Sequence, residues 1–248
     1  MLPTKKTKQK VTVEGLILYL YGPPMVGKTT FAANLETKGG SVLFLDCEGG
    51  TDRLEVETFS QPIESWVDFK ANVQALHSED HGFNVVVADP LTDLRSLCVK
   101  HVCGLRGARD ENDPKFGGFR GWGLVSSEWK TALMSLMAGP WATVLLDHAK
   151  QINVDNRGNE IGSLDNYKGE VRTMQIPTLS KSARFIIAKR ADVIMRAYKD
   201  PTGRRVATIS DLDGMGGQRG SVLPDTFDLD GKQFLEFFRA KYKAQKDL

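Results

Sequence analysis

The chain has few cysteines, almost no net charge and no long apolar run. Its cysteines, Cys47, Cys98 and Cys103, are odd in number and lack the spacing of metal ligands, so we expect neither a disulfide framework nor a zinc site. No apolar run reaches the roughly 18 residues that cross a bilayer. The first ten residues, MLPTKKTKQK, include no apolar stretch that could serve as a signal peptide. These absences favour a cytoplasmic protein without a membrane partner.

The composition fits a globular protein with a large core. Hydrophobic residues make up 41% of the 248 residues, which fits one large α/β domain or one domain with small appendages, and we favour one domain. The net charge of +2 does not by itself indicate a nucleic-acid-binding protein, so any basic surface must be local. Residues 150–190 contain eight basic side chains against four acidic ones, and this local excess fits a binding surface or a solvated loop equally well.

Short apolar runs alternate with helical periods along the chain. We predict buried strands over residues 16–21, 41–45, 83–88 and 142–146, further strands over 193–198 and 206–210, and helices within 30–36, 66–76, 91–102, 125–136, 177–190 and 231–245. Two long segments, 104–123 and 151–175, match no element. The alternation predicts an α/β fold, a mostly parallel sheet with helices on both faces and ligands at the carboxyl ends of the strands.

The most specific motif follows the first predicted strand. Residues 22–29 read GPPMVGKT, a complete GxxxxGK[ST] phosphate-binding loop. Its glycines allow backbone angles and a close approach that a Cβ would block, so that backbone N–H groups can surround a phosphate. Lys28 is expected to reach the β- and γ-phosphates of a nucleoside triphosphate, and Thr29 to ligate Mg²⁺. The predicted nucleotide-binding residues are Gly22, Pro23, Pro24, Met25, Val26, Gly27, Lys28, Thr29 and Thr30.

Polar side chains follow the other predicted strands. Asp89 ends the third strand, where it could hold Mg²⁺ or simply cap the next helix. Glu48 lies three residues beyond the second strand, where a carboxylate could orient or deprotonate an attacking water. Asp46 is expected to be structural, and Asp147 and His148 follow the fourth strand. The sequence therefore predicts a hydrolytic site at one edge of the sheet.

The series GPPMVGKTT, VLFLDCEGG, FNVVVADPLTDL and ATVLLDHAK resembles the core of the bacterial RecA recombinase and its relatives. It is most similar to small phage ATPases with a minimal RecA core that act in single-strand annealing and recombination. The resemblance covers about residues 14–210. It implies a RecA-like P-loop core over 14–210. The residues themselves indicate a basic tail over 1–13, with Lys5, Lys6, Lys8 and Lys10, a hairpin at the end of the core, and a C-terminal loop and helix over 211–248.

Carried over by this resemblance, Lys28 and Thr29 bind phosphate and Mg²⁺, Asp89 is the metal carboxylate and Glu48 is the water-activating base. His148 stands where the recombinases have a glutamine that senses the γ-phosphate, although it could equally cap the strand end.

The resemblance also implies a cation from a neighbouring subunit in the ATPase site. Lys189 and Arg190 are the candidates, and stabilisation of a helix C-terminus is the alternative role for them.

In the recombinases two loops line the DNA channel, and the two unassigned segments occupy their places. Mixed basic and aromatic side chains suit single-stranded DNA, because cations neutralise phosphates and rings stack on bases. The candidates are Arg106, Arg109, Lys115, Phe116, Phe119 and Arg120 in the first segment and Lys150, Arg157, Lys168 and Arg172 in the second. Trp122 is instead expected to pack in the core.

The function implied by the resemblance is an ATP- and Mg²⁺-dependent ATPase that binds single-stranded DNA. It would form homo-oligomeric rings or filaments, meet a single-stranded-DNA-binding protein, and work in a bacterial host of a phage or prophage. The alternatives are a P-loop ATPase with a protein partner, such as a helicase loader or regulatory ATPase, and a small-molecule P-loop kinase.

Overall fold

The computed structural model describes residues 13–37, 40–117, 120–165, 167–212, 214–220 and 222–246. The strands are β1 Ile17–Gly22, β2 Ser41–Asp46, β3 Phe59–Pro62, β4 Phe83–Asp89, β5 Ala142–Val154, β6 Arg172–Pro177, β7 Val193–Lys199, β8 Arg205–Thr208, β9 Gly217–Gln218 and β10 Thr226–Asp228. The α-helices are α1 Lys28–Ala33, α2 Trp66–Ser78, α3 Leu91–Gly104, α4 Arg120–Leu136, α5 Lys181–Ala188 and α6 Gly231–Lys246, and 3₁₀ turns cover Gly50–Arg53 and Pro114–Phe116.

The strands form a mixed sheet in the order β10-β8-β7-β1-β5-β4-β2-β3. From β7 to β3 the neighbours are parallel, whereas β8 and β10 continue the sheet antiparallel beyond β7. Two more strands lie off this path, and each pairs antiparallel with one strand of the sheet, β6 with β5 and β9 with β7. The predicted fold class is therefore confirmed: a mostly parallel α/β sheet of the P-loop NTPase type.

Separate apolar cores cover the two faces of the sheet. On one face α2, α3, α4 and α5 pack over the strands, and the rings of Trp66 and Trp129 stack with centroids 5.9 Å apart. On the other face α1 and α6 pack together, and Phe31 meets Phe234 edge to face with centroids 5.5 Å apart. Strands covered on both faces explain the continuously apolar runs of the sequence.

The prediction was wrong where the second unassigned segment begins and ends. β5 does not stop at residue 146 but runs to Val154, and its second half pairs with β6. Pro177 does not open a helix; it closes β6 opposite Ala149, and α5 begins only at Lys181. Proline is tolerated at this strand end because its missing N–H breaks no interior ladder bond. Most of the segment is thus the tip of a β-hairpin.

Other boundaries also differ from the prediction. Helix α1 ends at Ala33 rather than reaching residue 36, and α4 starts at Arg120, five residues early. The edge strand β3 was not predicted, because its four residues, FSQP, are all exposed and show no apolar alternation. The basic tail up to residue 12 and Phe119 lie outside the described residues. Among the residues that the structure describes, no helix combines the length and apolarity needed to cross a bilayer.

Candidate nucleotide-binding site

The phosphate-binding motif forms the loop between β1 and α1. At its start, a Cβ on Gly22 would lie 2.5 Å from the carbonyl oxygen of Ala197 in β7, a clash that only glycine avoids. At its end Gly27 has φ +106°, a region that side-chain-bearing residues rarely adopt. The two glycines of the motif therefore serve different needs, close packing against β7 and a left-handed turn into α1.

Lys28 is held inside its own loop. Its side chain is buried, and Nζ donates to the carbonyl oxygens of Gly22 at 3.1 Å and Pro23 at 3.0 Å. Burial lowers the pKa of Lys28, and the charges of Asp89 and Glu48 oppose that shift. The ammonium thus sits between the loop and the carboxylates that follow the neighbouring strands.

Thr29 and Asp89 meet as the motif requires for a metal site. The Thr29 hydroxyl donates to Asp89 Oδ2 at 2.7 Å, and Asp89 is only 3% exposed. Burial raises the pKa of Asp89 to about 6, although the Thr29 hydrogen bond and the charge of Lys28 oppose the increase. One hydroxyl and one carboxylate suit Mg²⁺, which completes its octahedron with water and phosphate oxygens. The described residues contain no cluster of three His, Cys, Asp or Glu side chains that could hold a metal ion by themselves.

Glu48 borders the same space. A Cβ placed on Gly50 would lie 3.8 Å from Thr29 Oγ1, 3.9 Å from Asp89 Oδ2 and 4.0 Å from Glu48 Oε1, so the three oxygens surround one point. Glu48 also contacts His148, with Oε2 and Nε2 3.5 Å apart. The predicted base, metal ligands and sensor are therefore brought together at the carboxyl edge of the sheet.

Asp46 shapes the turn that carries Glu48. Its Oδ1 accepts hydrogen bonds from the backbone N–H groups of Glu48, Gly49 and Gly50, and its Oδ2 accepts from the N–H and hydroxyl of Thr51. Burial by itself would raise the pKa of Asp46, but the hydrogen bonds from Thr51 and the backbone outweigh it and lower the pKa. An ionised Asp46 therefore fixes the backbone from which Glu48 projects.

Asp147 has a similar role beneath His148. This fully buried carboxylate accepts hydrogen bonds from Tyr19 Oη at 2.9 Å, from the Thr92 hydroxyl, and from the backbone N–H groups of His148 at 2.9 Å and Leu179 at 3.4 Å. Burial raises the pKa of Asp147, and these hydrogen bonds oppose the increase. One side chain thus links β1, the start of α3 and the segment before α5. The sequence showed no signal for these partners, because they are far apart in the chain.

Lys189 and Arg190 lie near the amino ends of the parallel strands, whereas the candidate site lies at their carboxyl ends. The adjacent Asp192 accepts the N–H of Ile17, the first residue of β1, whereas the phosphate loop follows the last. The six residues of β1 span five rises of about 3.3 Å, so the two ends lie about 17 Å apart. These cations cannot reach the nucleotide of their own chain, and a role in a neighbouring subunit stays a prediction.

The first candidate DNA segment joins α3 to α4. Its cations Arg106, Lys115 and Arg120 line a cavity of about 570 Å³. Arg109 is instead paired with Asp113, 3.6 Å from its carboxylate.

Phe116 and Trp122, two aromatic residues of this segment, lie in environments opposite to those predicted. Phe116 is buried, 5% exposed, and so is not free to stack on a base. Trp122 is not in the core: it is 38% exposed, and its indole N–H donates to Asn112 at 2.8 Å. Helix α4 begins early enough to present Trp122 to solvent, whereas Phe116 packs beneath Gly121.

The second candidate DNA segment is the tip of the β5–β6 hairpin. Lys150 and Arg172 are exposed on the same face, because Lys150 pairs with Ile176 and Arg172 with Val154. Arg157 and Lys168 lie in the connecting loop, which also carries the four acidic residues Asp155, Glu160, Asp165 and Glu170. The hairpin is therefore charge-balanced, and the basic excess of residues 150–190 comes from α5 and its end.

The comparison with protein families agrees with this geometry. A family model described as an AAA domain matches residues 14–217, which is most of the chain and includes the phosphate loop, Glu48, Asp89 and His148. No curated protein matches the sequence. The chain belongs to the AAA domain family and is a P-loop ATPase.

Proposed function

We propose that the protein is a Mg²⁺-dependent ATPase that binds single-stranded DNA, acts in phage-type recombination or single-strand annealing, and hydrolyses ATP at the interfaces of a homo-oligomer. The observation that carries the proposal is the continuity of β5. The strand holds Asp147 and His148 beside Glu48 and then runs on, without interruption, into the β5–β6 hairpin. A change at the nucleotide therefore has a continuous strand through which to reach the proposed DNA-contacting surface.

At the nucleotide, each side chain has a distinct task. Lys28 neutralises the β- and γ-phosphates, and Thr29 and Asp89 hold Mg²⁺, which neutralises the charge that develops during phosphoryl transfer. Glu48 orients and deprotonates the attacking water from the side of the γ-phosphate. His148 contacts Glu48, with Nε2 and Oε2 3.5 Å apart, so a movement of Glu48 at the γ-phosphate would be passed to β5.

At the DNA, the α3–α4 connection supplies most of the electrostatic attraction. Arg106, Lys115 and Arg120 line one concavity, which suits successive phosphates of a flexible strand. The hairpin has no excess of positive charge, so Lys150 and Arg172 would position the strand through individual contacts and add little to the overall attraction. Binding should therefore weaken steeply with salt, with a slope set by a small number of phosphate contacts.

The proposal is tested by ATP hydrolysis with and without single-stranded DNA, at matched Mg²⁺. We expect DNA to stimulate hydrolysis, and Arg106→Ala combined with Arg120→Ala to remove the stimulation while leaving basal hydrolysis intact. Lys130→Ala, which removes an exposed cation elsewhere on α4, is the matched control and should leave stimulation unchanged. Absence of DNA binding at low salt with ATP and Mg²⁺ would refute the DNA role and favour a protein partner.

The hydrolytic assignments are tested separately. Lys28→Ala should abolish productive ATP binding, whereas Glu48→Gln should retain ATP and slow hydrolysis by about a hundredfold or more. Normal hydrolysis by Glu48→Gln would show that another group activates the water. Light scattering with a slowly hydrolysed ATP analogue, with and without DNA, tests the homo-oligomer. A particle that stays monomeric under all these conditions would refute hydrolysis at subunit interfaces.

A further inference from the structure

An arginine that no motif indicates lies against the phosphate loop of its own chain. A Cβ placed on Gly27 would be 3.3 Å from Arg205 Nη1, 3.4 Å from its Cδ and 3.8 Å from its Cζ. Gly27 directly precedes Lys28, so the guanidinium borders the loop where the loop turns into α1. Arg205 is exposed, and within the described residues it has neither an ion pair nor a side-chain hydrogen bond.

The sheet register explains why Arg205 points to the loop. Ala197 and Ala207 pair across β7 and β8, and both are buried on the face that α1 and α6 cover. Arg205 lies two residues before Ala207 and so projects from the same face. Its neighbour Arg204 projects from the other face and is paired with Asp200 at 3.5 Å and Asp228 at 3.1 Å. Of the two adjacent arginines, one is occupied by carboxylates and the other is directed at the nucleotide loop.

The position of β8 also indicates which end of the nucleotide Arg205 would meet. Asp89 and Glu48 follow β4 and β2, on one side of β1, whereas β7 and β8 lie on the other side. A triphosphate whose Mg²⁺ end reaches Asp89 directs its nucleoside end towards β7 and β8. We propose that Arg205 binds the α-phosphate of the nucleotide from within the same chain. This inference rests on the proposed Mg-ATP site and adds a ligand contact that the motif does not include.

Guanidinium is well suited to such a contact. It keeps its charge, offers several N–H donors in one plane and forms short hydrogen bonds to phosphate oxygens. Because the α-phosphate is present in both ATP and ADP, losing the contact should weaken both nucleotides by the same factor. A contact to the γ-phosphate would instead weaken ATP alone.

The experiment is calorimetric titration of the full chain with Mg-ADP and with the slowly hydrolysed Mg-AMP-PNP. We expect Arg205→Ala to weaken both by about tenfold, the scale of one charge-assisted hydrogen bond, and Arg205→Lys to restore most of the affinity. Arg204→Ala is the matched control and should bind both nucleotides like the unaltered chain. In steady-state hydrolysis Arg205→Ala should raise KM with little change in kcat, since the contact is made before and during the reaction.

Several outcomes would overturn the assignment. Unchanged affinities for Arg205→Ala, with a lower melting temperature, would show that the side chain only packs over Gly27. Selective loss of AMP-PNP affinity would place the guanidinium at the γ-phosphate, and failure of Arg205→Lys to restore binding would indicate stacking on the base. If Arg205→Ala does not fold, Arg205→Gln, which keeps a polar side chain but removes the charge, decides by the same titration. If the unaltered chain binds neither nucleotide, the proposed ATP site itself is refuted. If the unaltered chain binds both nucleotides, Lys28→Ala abolishes this binding and Arg205→Ala leaves it unchanged, only the inference about Arg205 is refuted.

Discussion

Replacing Asp89 by asparagine should stabilise the nucleotide-free protein and at the same time remove Mg-ATP binding. Burial raises the pKa of Asp89 from 3.8 to about 6, so keeping the carboxylate ionised in the folded state costs free energy. A shift of about two units at about 1.4 kcal/mol each amounts to about 3 kcal/mol at pH 8. Asparagine still accepts the Thr29 hydrogen bond without this cost. The melting temperature of the apoprotein should rise by about 6 to 12 °C.

The sign of the pH dependence makes this prediction specific. A carboxylate whose folded pKa is raised contributes stability below about pH 4, and that contribution is lost as the pH rises through about 6. The difference between Asp89→Asn and the unaltered chain should therefore be largest at pH 8 and vanish near pH 4. Thermal melts without Mg²⁺ across this range measure it. Asp225→Asn, which neutralises an exposed carboxyl group, is the control for net charge. If Asp89→Asn is no more stable than the unaltered chain at pH 8, ionisation of Asp89 does not cost the folded state free energy.

Three further predictions concern packing around the site. Gly22→Ala should abolish nucleotide binding in a calorimetric titration and lower stability, because its Cβ would lie 2.5 Å from the Ala197 carbonyl oxygen. The control is Gly82→Ala, which has open space around it and should bind ATP normally in the same titration. Thr51→Val should cost about 1 to 3 kcal/mol in urea unfolding by removing a hydroxyl donor from buried Asp46, and an unchanged midpoint would contradict that role. Leu133→Ala, fully buried on α4, should cost about 2 to 5 kcal/mol by the same assay, against less than about 0.5 for the half-exposed Leu164→Ala.

The sequence predicted the central strands and the contents of the site because each depends on local information. A buried parallel strand must be apolar on both faces, so β1, β2 and β4 were found within a residue or two of their bounds. The ends of those strands then located Asp89 and Glu48, since parallel strands bring their carboxyl ends to one edge. The phosphate loop needed no tertiary information at all.

What the sequence did not predict depends on contacts between distant segments. Residues Ala149 to Val154 of β5 pair with β6, and only Val154 among them is buried, so no apolar run marked this half of the strand. Arg205 is indistinguishable from Arg204 in sequence, and only the pairing of β7 with β8 separates their faces. Trp122 and Phe116 were assigned to each other's environment, because burial of an aromatic in a loop depends on where the following helix begins.

The site also explains the presence of two aspartates that take no part in the proposed chemistry, Asp46 at the end of β2 and Asp147 within β5. Asp46 accepts the N–H of Glu48 at 3.0 Å, and Asp147 accepts the N–H of His148 at 2.9 Å. Beyond the end of β2 the backbone N–H groups of the turn have no strand partner, and the buried carboxylate of Asp46 supplies one. The same bonds fix the backbone from which the next side chain projects, so Asp46 positions the proposed base, Glu48, and Asp147 positions the proposed sensor, His148. Substituting Asp46 or Asp147 should therefore misplace Glu48 or His148 and slow hydrolysis even though neither aspartate touches the nucleotide.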